Sequence, residues 1–227
     1  MSWTLQDLEN QMANELDQSA TAPTAGGADW NLRLNALNRA LFDWSESYDW
    51  RALLKVHNGV VSTASANASY VLPSDFRKLD GFPTITYDGV NTEQFTPIDT
   101  TKNHQYTDTD QYVNILGNPR DSQILYIHAR SLVSGASVQF TYYAYPASLA
   151  STTNVTECPD PTFLVQRALY YVYKAKEDGR FPEAKTESDK ILARLLENEN
   201  TLGQAHRDNR VPNWNQSRYG FKIGRDG

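Results

Sequence analysis

Two hydrophobic periods share this chain, and each keeps to its own stretch. Between Trp30 and Tyr48 the residues Trp30, Leu34, Leu37, Leu41, Trp44 and Tyr48 recur at steps of 4, 3, 4, 3 and 4. Only a helix places such residues on one stripe. About twenty residues of it would run roughly 30 Å. Leu32, Ala36, Ala40 and Phe42 lie off the stripe, so cover is expected on more than one side. From Arg51 onward the period falls to two, as in Ile85/Tyr87, Tyr112/Asn114, Ile124/Tyr126/His128 and Val138/Phe140/Tyr142. That is the period of strands. After Pro159 the helical spacing returns.

A shorter helix precedes the long one, with Leu5, Leu8, Met12 and Leu16 as its stripe and Thr21–Gly27 as its end. Asp29 is expected to cap the long helix. Asp160 and Pro161 form a cap and first-turn pair for a third helix, striped by Leu164, Ala168, Tyr171, Val172 and Ala175. Asp178-Gly179 stops it, and Pro182 opens a fourth along Ala184, Ser188, Ile191, Leu195 and Leu202, with Gly203 just past its end. In the middle, Asp88-Gly89 between two alternating runs predicts a hairpin. Asn118-Pro119 and Ser134-Gly135 punctuate later strands, while 62–69 and 147–153 read as surface loops. Six or seven short strands with close-set turns predict an antiparallel sandwich or barrel.

The fold class is therefore α+β. Residues 1–50 and 159–204 make a helical bundle from both chain ends, residues 51–158 an inserted antiparallel β module, and residues 205–227 an extended C-terminal tail. At 227 residues and 40% hydrophobic content a core of this size needs no disulfide or metal staple. Cys158 is the only cysteine, which excludes an intrachain disulfide and a thiolate cluster. The first residues carry no basic segment leading into an apolar run, and no stretch approaches the length of a membrane span. A soluble protein made in a reducing cytoplasm is expected.

The tail stands apart. Residues 205–227 carry five basic and two acidic side chains, net +3, so the other residues hold −9 of the overall −6. Trp214, Tyr219 and Phe221 sit among Arg207, Arg210 and Arg218 with no regular period. Such a segment is either a disordered terminus or one that orders on a partner, with Trp, Tyr and Arg as anchors. Nucleic acid is a third possibility, opposed by the acidic balance of the whole.

No catalytic constellation emerges. His57, His104, His128 and His206 are scattered without ligand spacing. Asp108-Thr109-Asp110 opens like a calcium loop, but Pro119 stands where the bidentate Glu belongs. There is no nucleophile elbow and no glycine-rich phosphate loop, and Cys158 reads as a buried or incidental thiol. Asp43, Glu46 and Asp49 recur three apart and raise the question of paired-carboxylate hydrolysis; a solvated helical face explains them more simply. The expectation is a protein with no enzymatic activity, metal or cofactor.

Three stretches, in order, carry a family likeness: Leu5-Gln6-Asp7-Leu8 before the Trp30–Arg51 helix, the Y-x-L-P-x-D-F run Tyr70-Val71-Leu72-Pro73-Ser74-Asp75-Phe76, and Pro159-Asp160 leading into Ala168–Tyr173. In these the chain resembles the head-to-tail adaptor (connector) proteins of tailed bacteriophages, a group that includes the tail tubular A proteins of T7-like podophages. The resemblance implies a homo-oligomeric ring, twelve copies strong, in the virion neck. It would lie beneath the portal protein, meet a tail or nozzle protein, and continue the channel through which DNA passes without specific binding. It implies no cofactor, no enzymatic site and no membrane, and a C-terminal segment that reaches the portal. The residues expected to do so are Arg207, Arg210, Trp214, Arg218, Tyr219 and Phe221. Trp30, Trp44 and Tyr173 are expected to stay half exposed and to be shared between copies. A carbohydrate- or receptor-binding tail module is the alternative, and a glycosidase using the acidic trio a more distant one.

Overall fold

The computed structural model describes residues 3–19, 21–61, 67–98, 111–118, 122–128 and 132–208, with backbone alone for 67 and 202–208. Four helices are present: α1 (Leu5–Asp17), α2 (Ala28–Ser47), α3 (Pro161–Ala175) and α4 (Phe181–Asp208). Among the described residues between α2 and α3 come eight strands: β1 (Leu54–Val60), β2 (Asn67–Val71), β3 (Phe76–Thr86), β4 (Thr92–Gln94), β5 (Thr96–Pro97), β6 (Tyr112–Leu116), β7 (Ile124–His128) and β8 (Ser137–Ala144).

The helix ends follow capping chemistry. Thr4 Oγ1 accepts from the Asp7 amide while the Asp7 carboxylate accepts from the Thr4 amide, closing a capping box on α1. Asp160 accepts from the Thr162 amide ahead of α3, with Pro161 in its first turn. For α2 the expectation fails by two residues. Gly27 occupies the cap position and Asp29 lies inside the first turn. The reason is the turn before it: Gly26 adopts φ +83° and the Gly27 amide bonds Thr24 O, which starts the helix early. Asp29 still favours that helix end through the dipole. The fourth helix also passes its expected stop, running through Gly203 to Asp208, so residues 205–208 continue it.

All four helices share one core, which includes Leu8, Leu37, Leu41, Trp44, Phe163, Leu164, Val172 and Ile191. Trp50, Leu53, Leu149 and Cys158 from the flanking segments join it. Leu149 belongs to a run that reads as a surface loop; it is 2% exposed because Asn38 on α2 bonds both its backbone amide and its carbonyl.

The strands form two four-stranded sheets in the orders β1-β8-β3-β4 and β2-β7-β6-β5. They face each other across a second core that includes Phe76, Ile85, Phe95, Val113, Leu125, Ile127, Val138 and Phe140. The Asp88-Gly89 hairpin joins β3 to β4 as expected, with Gly89 at φ +83°. β1 pairs with β8, and β8 with β3, so the first sheet is stitched across some eighty residues. One pair departs from the antiparallel pattern: β5 runs parallel to β6. The connection between them is long enough for a same-direction return.

Candidate interaction surfaces and the seam that positions them

Of the residues expected to contact a partner, Arg207 lies on the last turn of α4. Arg210, Trp214, Arg218, Tyr219 and Phe221 lie outside the described residues, as do Asp108–Asp110 and His104. The aromatic residues expected to be shared between copies are not available for it. Trp30 is 4% exposed, Trp44 0% and Tyr173 6%, all inside the subunit's own helical core. Trp44 is covered by Trp50, whose ring stacks on it at 5.3 Å and whose Nε1 donates to Trp44 O at 2.6 Å.

The geometry of the seam between the two cores is built from the sequence motifs. In the Tyr70–Lys78 run, the Phe76 amide turns back to Pro73 O and Phe76 stacks on Tyr142. Asp75 accepts from Lys55 Nζ at 2.8 Å and Tyr142 Oη at 3.0 Å, and its carbonyl accepts from the Tyr145 amide. Burial alone would raise the Asp75 pKa; the two hydrogen bonds and the Lys55 charge outweigh it and hold it below the usual carboxylate range. The same burial, together with the Asp75 contact, pushes Tyr142 up to about 12.

Two positions beyond Asp75, Arg77 reaches out of the sheet to the C-terminal end of α2. Its guanidinium donates to Ser45 O and Tyr48 O and pairs with Asp49 at 2.6 Å, and Lys78 pairs with the other Asp49 oxygen. Carbonyls at a helix C-terminus lack intrahelical donors, and a cation there offsets the dipole. Beyond them, Arg51 donates to Glu199 of α4 and Tyr48 Oη to Asn200. On another side of the seam, a cleft of about 410 Å³ opens between Asn38, Leu41 and Phe42 of α2 and the Ser74–Asp75 turn.

These contacts dispose of the acidic trio as a unit. Asp43 pairs with Arg167 and accepts from Tyr171 Oη, Asp49 is held by Arg77 and Lys78, and Glu46 points to solvent. Burial and the Asp43 contact push Tyr171 up to about 12. Cys158 is 4% exposed, and burial raises its thiol to about 12, far from a nucleophile's range. Among the described residues no group of three His, Cys, Asp or Glu side chains is placed to hold a metal ion, and no helix is long and apolar enough to cross a membrane.

One buried charge had no signal in the sequence. Glu9 is fully buried on α1 with neither carboxylate oxygen hydrogen-bonded, and burial drives its pKa up to about 7 against the pull of Arg33. Arg33 itself is 4% exposed and spends its charge on Asp17 at 2.5 Å.

The seam is thus assembled from the same runs that carry the family likeness, and the comparison of sequences agrees. The chain matches the family of SU10 adaptor proteins over residues 3–216. It belongs to that family. The match takes in every helix and strand described above, so the adaptor is a phage adaptor protein throughout its fold and a structural protein of the virion. No individual curated protein matches the adaptor. The nearer likeness to the tail tubular A proteins rests on the three motifs alone.

Proposed function

We propose that this adaptor forms a homo-oligomeric ring in the virion neck, joining the portal protein above to a tail or nozzle protein below and continuing the DNA channel. The observation that carries the reading is the family match across residues 3–216. The copy number of twelve comes from the resemblance to head-to-tail connectors. The charge of the chain fits a conduit: with −9 outside the last 23 residues, its walls would not hold phosphate by counterion release, so DNA passes without specific binding. A carbohydrate-binding module has less support, because Phe76, Phe95, Phe140 and Tyr142 are all spent on the sandwich core.

The C-terminal segment is the portal anchor in this reading. Residues 209–227 would reach roughly 60–65 Å if extended, at about 3.3–3.5 Å each. Ordering them costs about 1–2 kcal/mol per residue. Trp214, Tyr219 and Phe221 would return about 2–3 kcal/mol each on burial, and Arg207, Arg210 and Arg218 would add charge-assisted bonds to portal carboxylates. For the whole segment the cost outweighs the return, so the stretch Trp214–Phe221 is expected to dock while the ends fray, and binding depends on many copies acting together. The test is capture on immobilised portal rings of full-length protein, a chain ending at Asp208, and the Trp214→Ala and Tyr219→Ala variants. The three altered proteins are expected to fold normally and to lose portal binding. Unchanged capture of the shortened chain would assign the anchor to another part of the molecule.

A further inference from the structure

Helix α1 sits on α2 and α3 through Leu5, Leu8, Met12 and Ala13, all fully buried. The same face carries Glu9, which is 0% exposed and has no hydrogen-bond partner at either carboxylate oxygen. A carboxylate that has lost its water and gained no donor opposes the packing of the helix that carries it. Arg33 of α2 is the nearby cation, and its charge is divided. One guanidinium nitrogen pairs with Asp17 at the end of α1, while Nη1 is buried without a partner.

The other charged groups about α1 do not relieve Glu9. On α1 itself, Asp7 is engaged with Thr4, and Glu15 and Asp17 lie further along, facing Tyr173 of α3. Arg180 and Asp178, beside Tyr173, pair with each other. Residues 151–156, which bond the start of α1, contain no charged side chain. The chain also provides a joint. The Ala22 amide donates to Asn10 Oδ1 of α1 at 3.0 Å, whereas Gly26 O accepts from Asn31 Nδ2 of α2 at 3.3 Å and Thr24 O from the Gly27 amide. Bonding changes sides at Pro23. At its start α1 is held by two backbone bonds, from the Leu5 amide to Asn154 O and from the Gln6 amide to Thr152 O.

We propose that α1 is a proton-controlled latch, seated on α2 and α3 while Glu9 is neutral and lifting about the Pro23 joint when Glu9 ionises, with α2, α3 and α4 left packed. Lifting gives the carboxylate its water back and breaks the Leu5 and Gln6 bonds. It uncovers the apolar faces of α2 and α3 beneath. A lifted helix of 13 residues is too short to hold its own hydrogen bonds in water, so its amides open with it. The sign is fixed by the closed state, which keeps a proton that the open state releases, so opening grows as pH rises. The latch is a property of the single subunit and does not depend on the ring reading.

Hydrogen exchange read by mass spectrometry on the full-length chain tests it, at pH 6 and pH 8 with the intrinsic pH dependence of amide exchange divided out. With Glu9 titrating near 7 when seated and near 4.5 when free, the opening of α1 should rise about tenfold between the two pH values. Peptides from α3 should stay protected at both. Glu9→Gln should remove the pH dependence of α1, and Glu9→Leu serves as a second variant in case the amide packs badly. Exchange of α1 and α3 together at both pH values would show that α1 leaves only when the whole bundle unfolds, and the latch falls on wild-type data alone. Faster exchange of α1 that is equal at pH 6 and pH 8, or a pH dependence that survives in both variants, would take control away from Glu9 and also overturn the proposal.

Discussion

Glu9 is a residue whose cost can be read from its surroundings. Its carboxyl titrates near 7 in the folded protein and near 4.5 when exposed, because burial removes water that nothing replaces. The sign follows directly: between about pH 4.5 and 7 the unfolded chain releases a proton that the folded one keeps, so stability falls as pH rises through that window and stays lower above it. The full shift corresponds to about 3 kcal/mol. Glu9→Gln is therefore expected to raise stability at pH 8 by about 1–3 kcal/mol and to change little at pH 4.5, as thermal melts at the two pH values would show. An equal gain at both would mean that packing, not charge, is the source. Arg77 gives the opposite case. It is 10% exposed and serves Ser45 O, Tyr48 O and Asp49 together. Arg77→Ala should cost about 2–3 kcal/mol in urea unfolding, and Arg77→Lys should recover less than half, since an ammonium cannot span three acceptors on a planar fork.

Among the elements, turns carry the sharpest expectation. Gly117, after β6, has φ +100°, and a Cβ there would lie 2.0 Å from Ser122 O. Gly135, before β8, has φ +89° but open space around it. Gly117→Ala should cost more than 2 kcal/mol through strain and collision, Gly135→Ala about 1 kcal/mol through strain alone; denaturant midpoints of the two variants separate the effects. These positions also mark what the sequence discloses. The helices α2 and α3 and the Asp88-Gly89 hairpin are legible because period, cap and turn chemistry act within a few residues. The pairing of β1 with β8 and the parallel β5–β6 contact are not, because alternation fixes a strand's faces but not its neighbour. The full burial of Trp30, Trp44 and Tyr173 escapes the sequence for a related reason: a stripe says which side is apolar, and only the partner helices and Trp50 decide how completely it is covered. Glu9 was hidden because nothing about a glutamate between Leu8 and Asn10 distinguishes a core position from a wet one. The residues proposed as portal anchors are legible only as composition.

For the whole molecule, the core residues described lie between Leu5 and Leu195, so a chain ending at Asp208 is expected to melt close to full length, as a thermal scan would show. Full-length protein at micromolar concentration should sediment mostly as a 25.6 kDa monomer, since weak contacts between copies gain strength only when a template aligns many of them. A stable free oligomer would show that the contact needs no template. The seam has a mechanical meaning as well. Arg77 of β3 ties a strand to Asp49 and the end of α2, Asn38 of α2 holds Leu149 in the segment that follows β8, and Lys55 of β1 holds Asp75 in the turn before β3. In the proposed neck, a pull that separates the two cores would load the Arg77 and Asn38 ties together, because both bridge from α2 to the chain of the β module or the segment leaving it. Under that reading the adaptor would answer such tension as a stiff link, passing load across the seam rather than stretching in its own middle.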